Sequence, residues 1–101
     1  SDPTALPAHL RFGGWNLNPA PEMHVAAFRH WAATYGADPV AMSADVIEMR
    51  VDRRPATREA ALILAREMYE YCPDIVDQGT GTLSALAAEL MVSDLWYFWW
   101  D

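Results

Sequence analysis

The chain has 101 residues, a net charge of −7 and a hydrophobic content of 52%, a combination typical of one globular domain rather than a disordered segment. The acidic balance disfavours nucleic acids and anionic membrane surfaces as partners, because both are bound through basic footprints. No apolar run approaches the roughly 20 residues of a membrane span, and a single cysteine excludes an internal disulfide.

Residues 1–14 are predicted to form an irregular lead-in, or to be the remnant of a longer protein, because the chain begins with Ser1 rather than Met. Prolines and a Gly-Gly pair interrupt this stretch, which leaves room only for a short extended piece at residues 10–12. A single α+β domain is predicted over residues 15–101.

The first helix is predicted to begin near Pro21, a residue favoured in the first helical turn. Gly36 is a natural residue to end it, because glycine adopts the left-handed conformation that follows many helices. Apolar residues recur at spacings of three and four along one face. They are Val25, Phe28, Ala32 and Tyr35, with Trp31 on the flank.

A β-hairpin is predicted next, with strands near residues 40–43 and 47–51 and a turn at Ala44-Asp45. Ile47 and Met49 share one face of the second strand, while Glu48 lies on the other. This alternation predicts an antiparallel pair with one face toward water.

Two further helices are predicted, with Thr57 and Thr82 as their N-caps. The second helix should end at Cys72, because the following proline disfavours helical geometry in the residue before it. The connection between the two helices is predicted to be an irregular polar loop. The expected buried stripes are Ala61, Leu64, Ala65, Met68 and Tyr71 on the second helix, and Leu83, Leu86, Ala87 and Leu90 on the third.

Residues 95–100 form an uninterrupted run of six large apolar residues and are predicted to be a strand. Alternate side chains of a strand point to opposite faces, so both faces of this strand carry apolar residues. We therefore expect both faces to be covered, with the strand central in the sheet or covered by the N-terminal segment. The whole pattern predicts an α+β fold in which a small antiparallel sheet, the hairpin plus the C-terminal strand, packs with about three helices.

Two motifs resemble a bacterial family described as domain of unknown function 4253: YCPDIVDQG at residues 71–79 and WYFWWD at residues 96–101. The resemblance extends over about residues 15–101 and leaves residues 1–14 without a counterpart. It implies a C-terminal module of longer bacterial proteins. It implies no activity, substrate or catalytic residue, so it supports the predicted domain and leaves the function open.

An acidic group is the first candidate site: Asp74, Asp77 and Gln78, with Asp101 nearby. Carboxylates three residues apart on a turn are able to converge on a hard cation such as Mg²⁺ or Ca²⁺. The alternative is that Asp74 and Asp77 accept hydrogen bonds from loop N–H groups. The spacing does not match an EF-hand, and we predict no metal site here.

Nucleophilic chemistry has weaker support. Cys72 is predicted at a helix C-terminus, where the helix dipole disfavours a thiolate, and a small buried thiol is the expected role. His24 and His30 are six residues apart and fall on different sides of the first helix. The Gly79-Thr80-Gly81 stretch lacks the lysine of a phosphate-binding loop and is predicted to be a helix-entry turn.

The leading hypothesis is a non-catalytic module of a cytoplasmic protein that binds a protein partner or a small ligand, without a cofactor. Its aromatic-rich surface is predicted to include Trp15, Trp96 and Trp100. One face of the C-terminal strand is expected in the core, and the other offers a groove or a partner surface: either Trp96, Phe98 and Trp100, or else Leu95, Tyr97 and Trp99. The alternative is a small hydrolase or a metal- or ligand-binding enzyme whose acidic site contains Asp74, Asp77 and Asp101. A third option, neutralisation of a basic partner, rests on the net charge alone. Whether the chain is an enzyme and how it oligomerises stay open.

Overall fold

The computed structural model describes residues 19–100, so Trp15, Asp101 and the predicted lead-in lie outside the described residues. The predicted α+β class is confirmed: a three-stranded antiparallel sheet packs with helices. In chain order the elements are α1 (Pro21–Tyr35), β1 (Asp38–Met42), β2 (Val46–Arg50), α2 (Arg58–Tyr71), a π-helical turn (Val76–Thr80), α3 (Leu83–Leu90) and β3 (Leu95–Trp99).

Helix α1 begins with Pro21, as predicted, and ends at Gly36, which has a φ of 63°. The N–H of Gly36 donates to the carbonyl of Ala32 at 3.0 Å and so closes the last turn. The buried stripe differs from the predicted one: it consists of His24, Phe28 and Trp31. Trp31 lies in this stripe rather than on its flank because its indole ring stacks on Phe98 of β3, and this contact fixes the rotation of the helix.

The hairpin forms as predicted, and β2 is its inner strand. Strand order in the sheet is β1-β2-β3, and both neighbouring pairs are antiparallel. Ile47 and Met49 are fully buried on one face of β2, while Glu48 pairs with Tyr97 on the other. The alternation along β2 therefore identified the core face of the sheet correctly.

Strand β3 is extended, but the expectation that both of its faces are covered is wrong. Leu95 and Tyr97 are 56% and 52% exposed, and β3 occupies one edge of the sheet formed by the described residues. The aromatic contacts from α1 and α2 reach only the opposite face of the strand. An amphipathic residue such as Tyr97 tolerates this position because its ring packs while its hydroxyl stays in water. The buried residues at this end of the chain are Trp96, Phe98 and Trp100.

Helices α2 and α3 begin at the predicted caps. The side chain of Thr57 accepts a hydrogen bond from the N–H of Ala60 at 3.1 Å, and that of Thr82 accepts one from the N–H of Ala85 at 3.0 Å. The five residues predicted for the stripe of α2 are its buried residues, and on α3 the buried residues are Leu86, Ala87 and Leu90.

The connection between α2 and α3 is more regular than predicted. Residues Val76–Thr80 form a π-helical turn, and the N–H of Gly81 closes it by donating to the carbonyl of Val76 at 2.8 Å. Gly81 has a φ of 85°, a conformation that favours glycine, and it leads into the cap of α3. The turn places a short rigid segment beside the edge of β3.

Between residues 19 and 100, no helix has the length and apolar character needed to cross a membrane.

Candidate functional site

A cavity of about 300 Å³ lies between the outer edge of β3, the π-helical turn and α3. Its volume is at the lower end of the range of small-molecule sites. Most of its walls are apolar. They come from α2, α3, the π-helical turn and both faces of β3. Its inner walls include Met68, Ile75, Leu86, Leu90, Trp96 and Phe98.

The register of β3 determines which of its peptide groups face this cavity. The N–H of Val51 donates to the carbonyl of Asp94 at 2.9 Å, and the N–H of Trp100 donates to the carbonyl of Asp45 at 3.1 Å. Even-numbered residues of β3 therefore turn their peptide groups toward β2. The odd-numbered residues turn theirs outward, to the edge that no strand of residues 19–100 pairs with, here called the free edge.

Two other segments close the ends of this free edge. At one end, the hydroxyl of Ser93 donates to the carbonyl of Leu95 at 2.8 Å and accepts from the N–H of Leu95 at 3.1 Å. At the other end, the thiol of Cys72 donates to the carbonyl of Trp99 at 2.9 Å. The peptide groups of Tyr97, in the middle, are given no hydrogen-bond partner by residues 19–100, and Tyr97 lines the cavity. An extended peptide therefore meets only a short open edge here, whereas a small polar group has access.

The rim of the cavity carries an aromatic pair. The ring centroids of Tyr97 and Trp99 lie 5.9 Å apart, with their planes at 51°. Gly79 of the π-helical turn approaches the indole so closely that an added Cβ would lie 3.0 Å from Cη2 of Trp99. The absence of a side chain at Gly79 thus lets the turn close against the indole and shape one end of the cavity.

The charge at the cavity is acidic. Glu89 is the one charged residue among the described residues that line it. Glu48 of β2 pairs with Tyr97 across the sheet, on the exposed face. The site therefore favours neutral or cationic groups over anions.

The predicted acidic residues stand beside this cavity rather than in its lining. Asp77 accepts a hydrogen bond from the hydroxyl of Tyr69 at 3.1 Å, and this bond raises the pKa of the phenol. Asp74 is half-buried and Gln78 is exposed, both just before or within the π-helical turn. Among the described residues, no three His, Cys, Asp or Glu side chains are grouped so that they could hold a metal ion. The enzymatic alternative, which includes Asp101, stays a prediction.

Two of the predicted binding tryptophans, Trp96 and Trp100, lie in the core instead of on a surface. Trp96 and Trp100 are 3% and 4% exposed, because β3 turns their side chains toward α1 and α2. Trp96 still forms part of the inner wall of the cavity, and its buried Nε1–H has no hydrogen-bond partner within residues 19–100. The outer face of β3 instead carries the exposed Tyr97 and the partly buried Trp99, which belong to the alternative binding face of the prediction.

His24 and Cys72 are buried and do not form a nucleophilic pair. His24 Nδ1 makes a short hydrogen bond with the hydroxyl of Tyr71, and burial lowers the pKa of the imidazole to about 4. Burial raises the pKa of the Cys72 thiol to about 12, so the predicted buried thiol is confirmed. The stripe predicted for α1 omitted His24, although its spacing of four from Phe28 places it on the core face of the helix.

A polar contact between α1 and α2 was also missed. A carboxylate oxygen of Glu67 accepts from the indole N–H of Trp31 at 3.1 Å, and the carboxylate lies 3.2 Å from His30 Nε2. No periodicity reveals this contact, because its three members lie on two helices that are distant in sequence. Its role is to satisfy the indole N–H of a buried tryptophan at the edge of the core.

A family model described as "Domain of unknown function (DUF4253)" matches residues 1–101. The match includes residues 1–14, for which the sequence motifs offered no counterpart. Neither the curated proteins nor the solved structures gave a match.

Proposed function

The chain belongs to the DUF4253 family, and from that premise we propose that it is a non-catalytic module that binds a small, largely apolar ligand beside β3. The observation that carries the proposal is the apolar cavity of about 300 Å³ that includes Tyr97, whose peptide groups lie on the free edge of the strand. The walls supply apolar contact, and the peptide supplies one donor and one acceptor. Small-molecule sites are typically apolar concavities that carry only a few polar groups.

The chemistry of the lining supports binding rather than catalysis. Among the cavity-lining residues within 19–100, none is a histidine or a cysteine. The hydroxyl of Thr80 already donates to the carbonyl of Thr82 at 3.2 Å, and that of Ser93 is bonded to Leu95. These bonds direct both hydroxyls to backbone groups, whereas nucleophilic catalysis requires a hydroxyl that a base activates.

A neutral apolar fluorophore tests the proposal. N-phenyl-1-naphthylamine emits strongly only in an apolar environment. With the unmodified chain, we expect its emission to rise to saturation at one fluorophore per chain. Leu95→Trp adds a large side chain at the rim, where Leu95 is exposed and lines the cavity. We expect this variant to fold and to lose most of the emission, because the added indole occupies the entrance.

Val40→Trp is the matched control. Val40 is 49% exposed on β1 and does not line the cavity, so the same substitution there should leave binding unchanged. Amide chemical shifts of Tyr97, Trp99 and Leu90 locate the fluorophore. Equal loss of emission in the two variants, or shift changes confined to other surfaces, would show that the cavity is not the binding site.

A further inference from the structure

We propose that the ligand of this cavity is an alkylated ammonium cation, held by the rings of Tyr97 and Trp99 with Glu89 as its counter-charge. The inference rests on the proposed function and deepens it by naming the class of ligand. A free quaternary ammonium and a trimethylated lysine side chain share this chemistry, and the experiment below distinguishes them.

The aromatic pair provides the first argument. The rings of Tyr97 and Trp99 are 5.9 Å apart and inclined at 51°, so they form an open wedge rather than a closed stack. A cation attracts the negative faces of aromatic rings, and wedges of such rings are the usual receptors for quaternary ammonium groups. Gly79 and the π-helical turn hold the indole from its far edge, so one side of the wedge is fixed before a ligand arrives.

The charges around the cavity provide the second argument. Among the lining residues that belong to the described part of the chain, Glu89 is the only charged side chain and none is basic. Glu48 pairs with Tyr97 on the exposed face of the sheet and adds a second negative charge near the wedge. The chain as a whole carries −7, so the long-range field also favours cations and disfavours phosphates and carboxylates.

The scarcity of acceptors distinguishes an alkylated ammonium from a primary amine or a guanidinium. A primary ammonium has three N–H donors and a guanidinium has five, and each loses free energy when buried without a partner. The described lining offers such donors few acceptors: the carboxylate of Glu89, the outward carbonyl of Tyr97 and the remaining lone pairs of the Thr80 and Ser93 hydroxyls, which donate their own protons to backbone carbonyls. A quaternary ammonium carries its charge with no N–H to satisfy, so it suits these walls.

Choline and its neutral isostere 3,3-dimethylbutan-1-ol provide the test, because they share a shape and differ in charge. Binding is followed by tryptophan fluorescence and by the amide shifts of Tyr97 and Trp99. We expect choline to bind about tenfold more tightly than the isostere, the ratio expected when a cation meets partly desolvated rings. Equal affinities for choline and the isostere would overturn the inference and leave the proposed function intact. The same holds if the naphthylamine binds and choline does not.

Paired variants separate the two parts of the receptor. Tyr97→Leu removes a ring and should weaken choline about threefold to tenfold, while Tyr97→Phe keeps the ring and should retain binding. Glu89→Gln should weaken choline and leave 3,3-dimethylbutan-1-ol unchanged. Glu70→Gln makes the same charge change at an exposed position outside the lining and is the control. Equal effects of the two glutamine variants would mean that only the overall charge acts, which contradicts a counter-charge at Glu89.

N-acetyl-trimethyllysine amide identifies the source of the cation. A tighter affinity than that of choline would assign the site to a trimethylated lysine of a protein, because the flanking amides then reach the peptide groups of Tyr97. A weaker affinity would assign it to a free small cation. If the naphthylamine also fails to bind, the proposed function fails together with the inference.

Discussion

At the scale of single residues, His24 carries the clearest pH dependence. It is fully buried, and burial lowers the pKa of its imidazole from 6.5 to about 4. Between these two pH values the unfolded chain binds a proton that the folded chain does not bind. The free energy of unfolding is therefore highest above pH 6.5, falls as the pH is lowered through this window, and has lost the whole contribution below about pH 4.

We expect protonation linked to His24 to lower the free energy of unfolding by up to about 3 kcal/mol between pH 7 and pH 4. The figure follows from about 1.36 kcal/mol for each unit by which the pKa changes on folding. Urea unfolding at several pH values measures it, by comparison with His24→Gln, which keeps an amide but does not titrate. His30→Gln, on the exposed side of the same helix, is the control. If the free energy of unfolding of His24→Gln falls with decreasing pH as steeply as that of the wild type, the pH dependence does not come from His24.

At the scale of elements, the end of α1 depends on the absence of a side chain at Gly36. Its φ of 63° is strained for other residues, and an added Cβ would lie 2.8 Å from the Cβ of Asp52. Gly81 has a similar φ of 85° but nothing within 4 Å of an added Cβ. The two glycines therefore separate backbone strain from steric conflict.

We expect Gly81→Ala to cost about 1 kcal/mol of the free energy of unfolding, from backbone strain alone. Gly36→Ala should cost more, about 2 kcal/mol or above, because the end of α1 must also move away from Asp52. Thermal and urea unfolding of both variants measure the difference. Replacing Asp52 with glycine in the Gly36→Ala background should recover part of the stability lost in Gly36→Ala. Equal costs for Gly36→Ala and Gly81→Ala would rule out the steric conflict with Asp52.

The sequence was sufficient to predict the elements whose apolar residues follow a regular period. All five residues predicted for the stripe of α2 are buried, and the caps Thr57 and Thr82 accept the expected hydrogen bonds. Ile47 and Met49 were likewise assigned to the core face of β2. Each of these predictions depends only on local geometry, which the period of the side chains encodes.

The position of β3 in the sheet was not predictable in the same way. Its alternation correctly divides Trp96, Phe98 and Trp100 from Leu95, Tyr97 and Trp99, but a two-sided apolar pattern does not say what covers each side. The order of strands is set by long-range pairing with β2 and by the ring contacts from α1. The cavity was missed because its walls come from four successive elements, and the period of side chains within each element does not say how the elements pack against one another.

At the scale of the whole molecule, aromatic rings join the first described helix to the last strand. Trp31 stacks on Phe98 with ring centroids 5.6 Å apart, and it meets Tyr71 and Trp96 edge to face at 5.3 Å and 5.7 Å. Its indole N–H is bonded to Glu67 of α2. One side chain thus contacts α2 and β3 from α1, and its loss affects the core as a unit.

We expect Trp31→Ala to lower the free energy of unfolding by about 3–5 kcal/mol, the range for loss of a large buried aromatic residue. Trp31→Phe keeps a ring against Phe98 and should cost clearly less. Urea unfolding followed by far-ultraviolet circular dichroism measures both variants. A cost below about 1 kcal/mol for Trp31→Ala would mean that the core is held mainly by other contacts.

The arrangement at the edge of β3 also governs how neighbouring copies of the chain meet. A run of apolar residues such as 95–100 is the kind of segment that seeds fibrils, because stacked strands grow through consecutive unpaired peptide groups. Ser93 occupies the peptide groups of Leu95, and Cys72 occupies the carbonyl of Trp99. These contacts shorten the run of consecutive unpaired peptide groups at this edge, which disfavours cross-β growth from it.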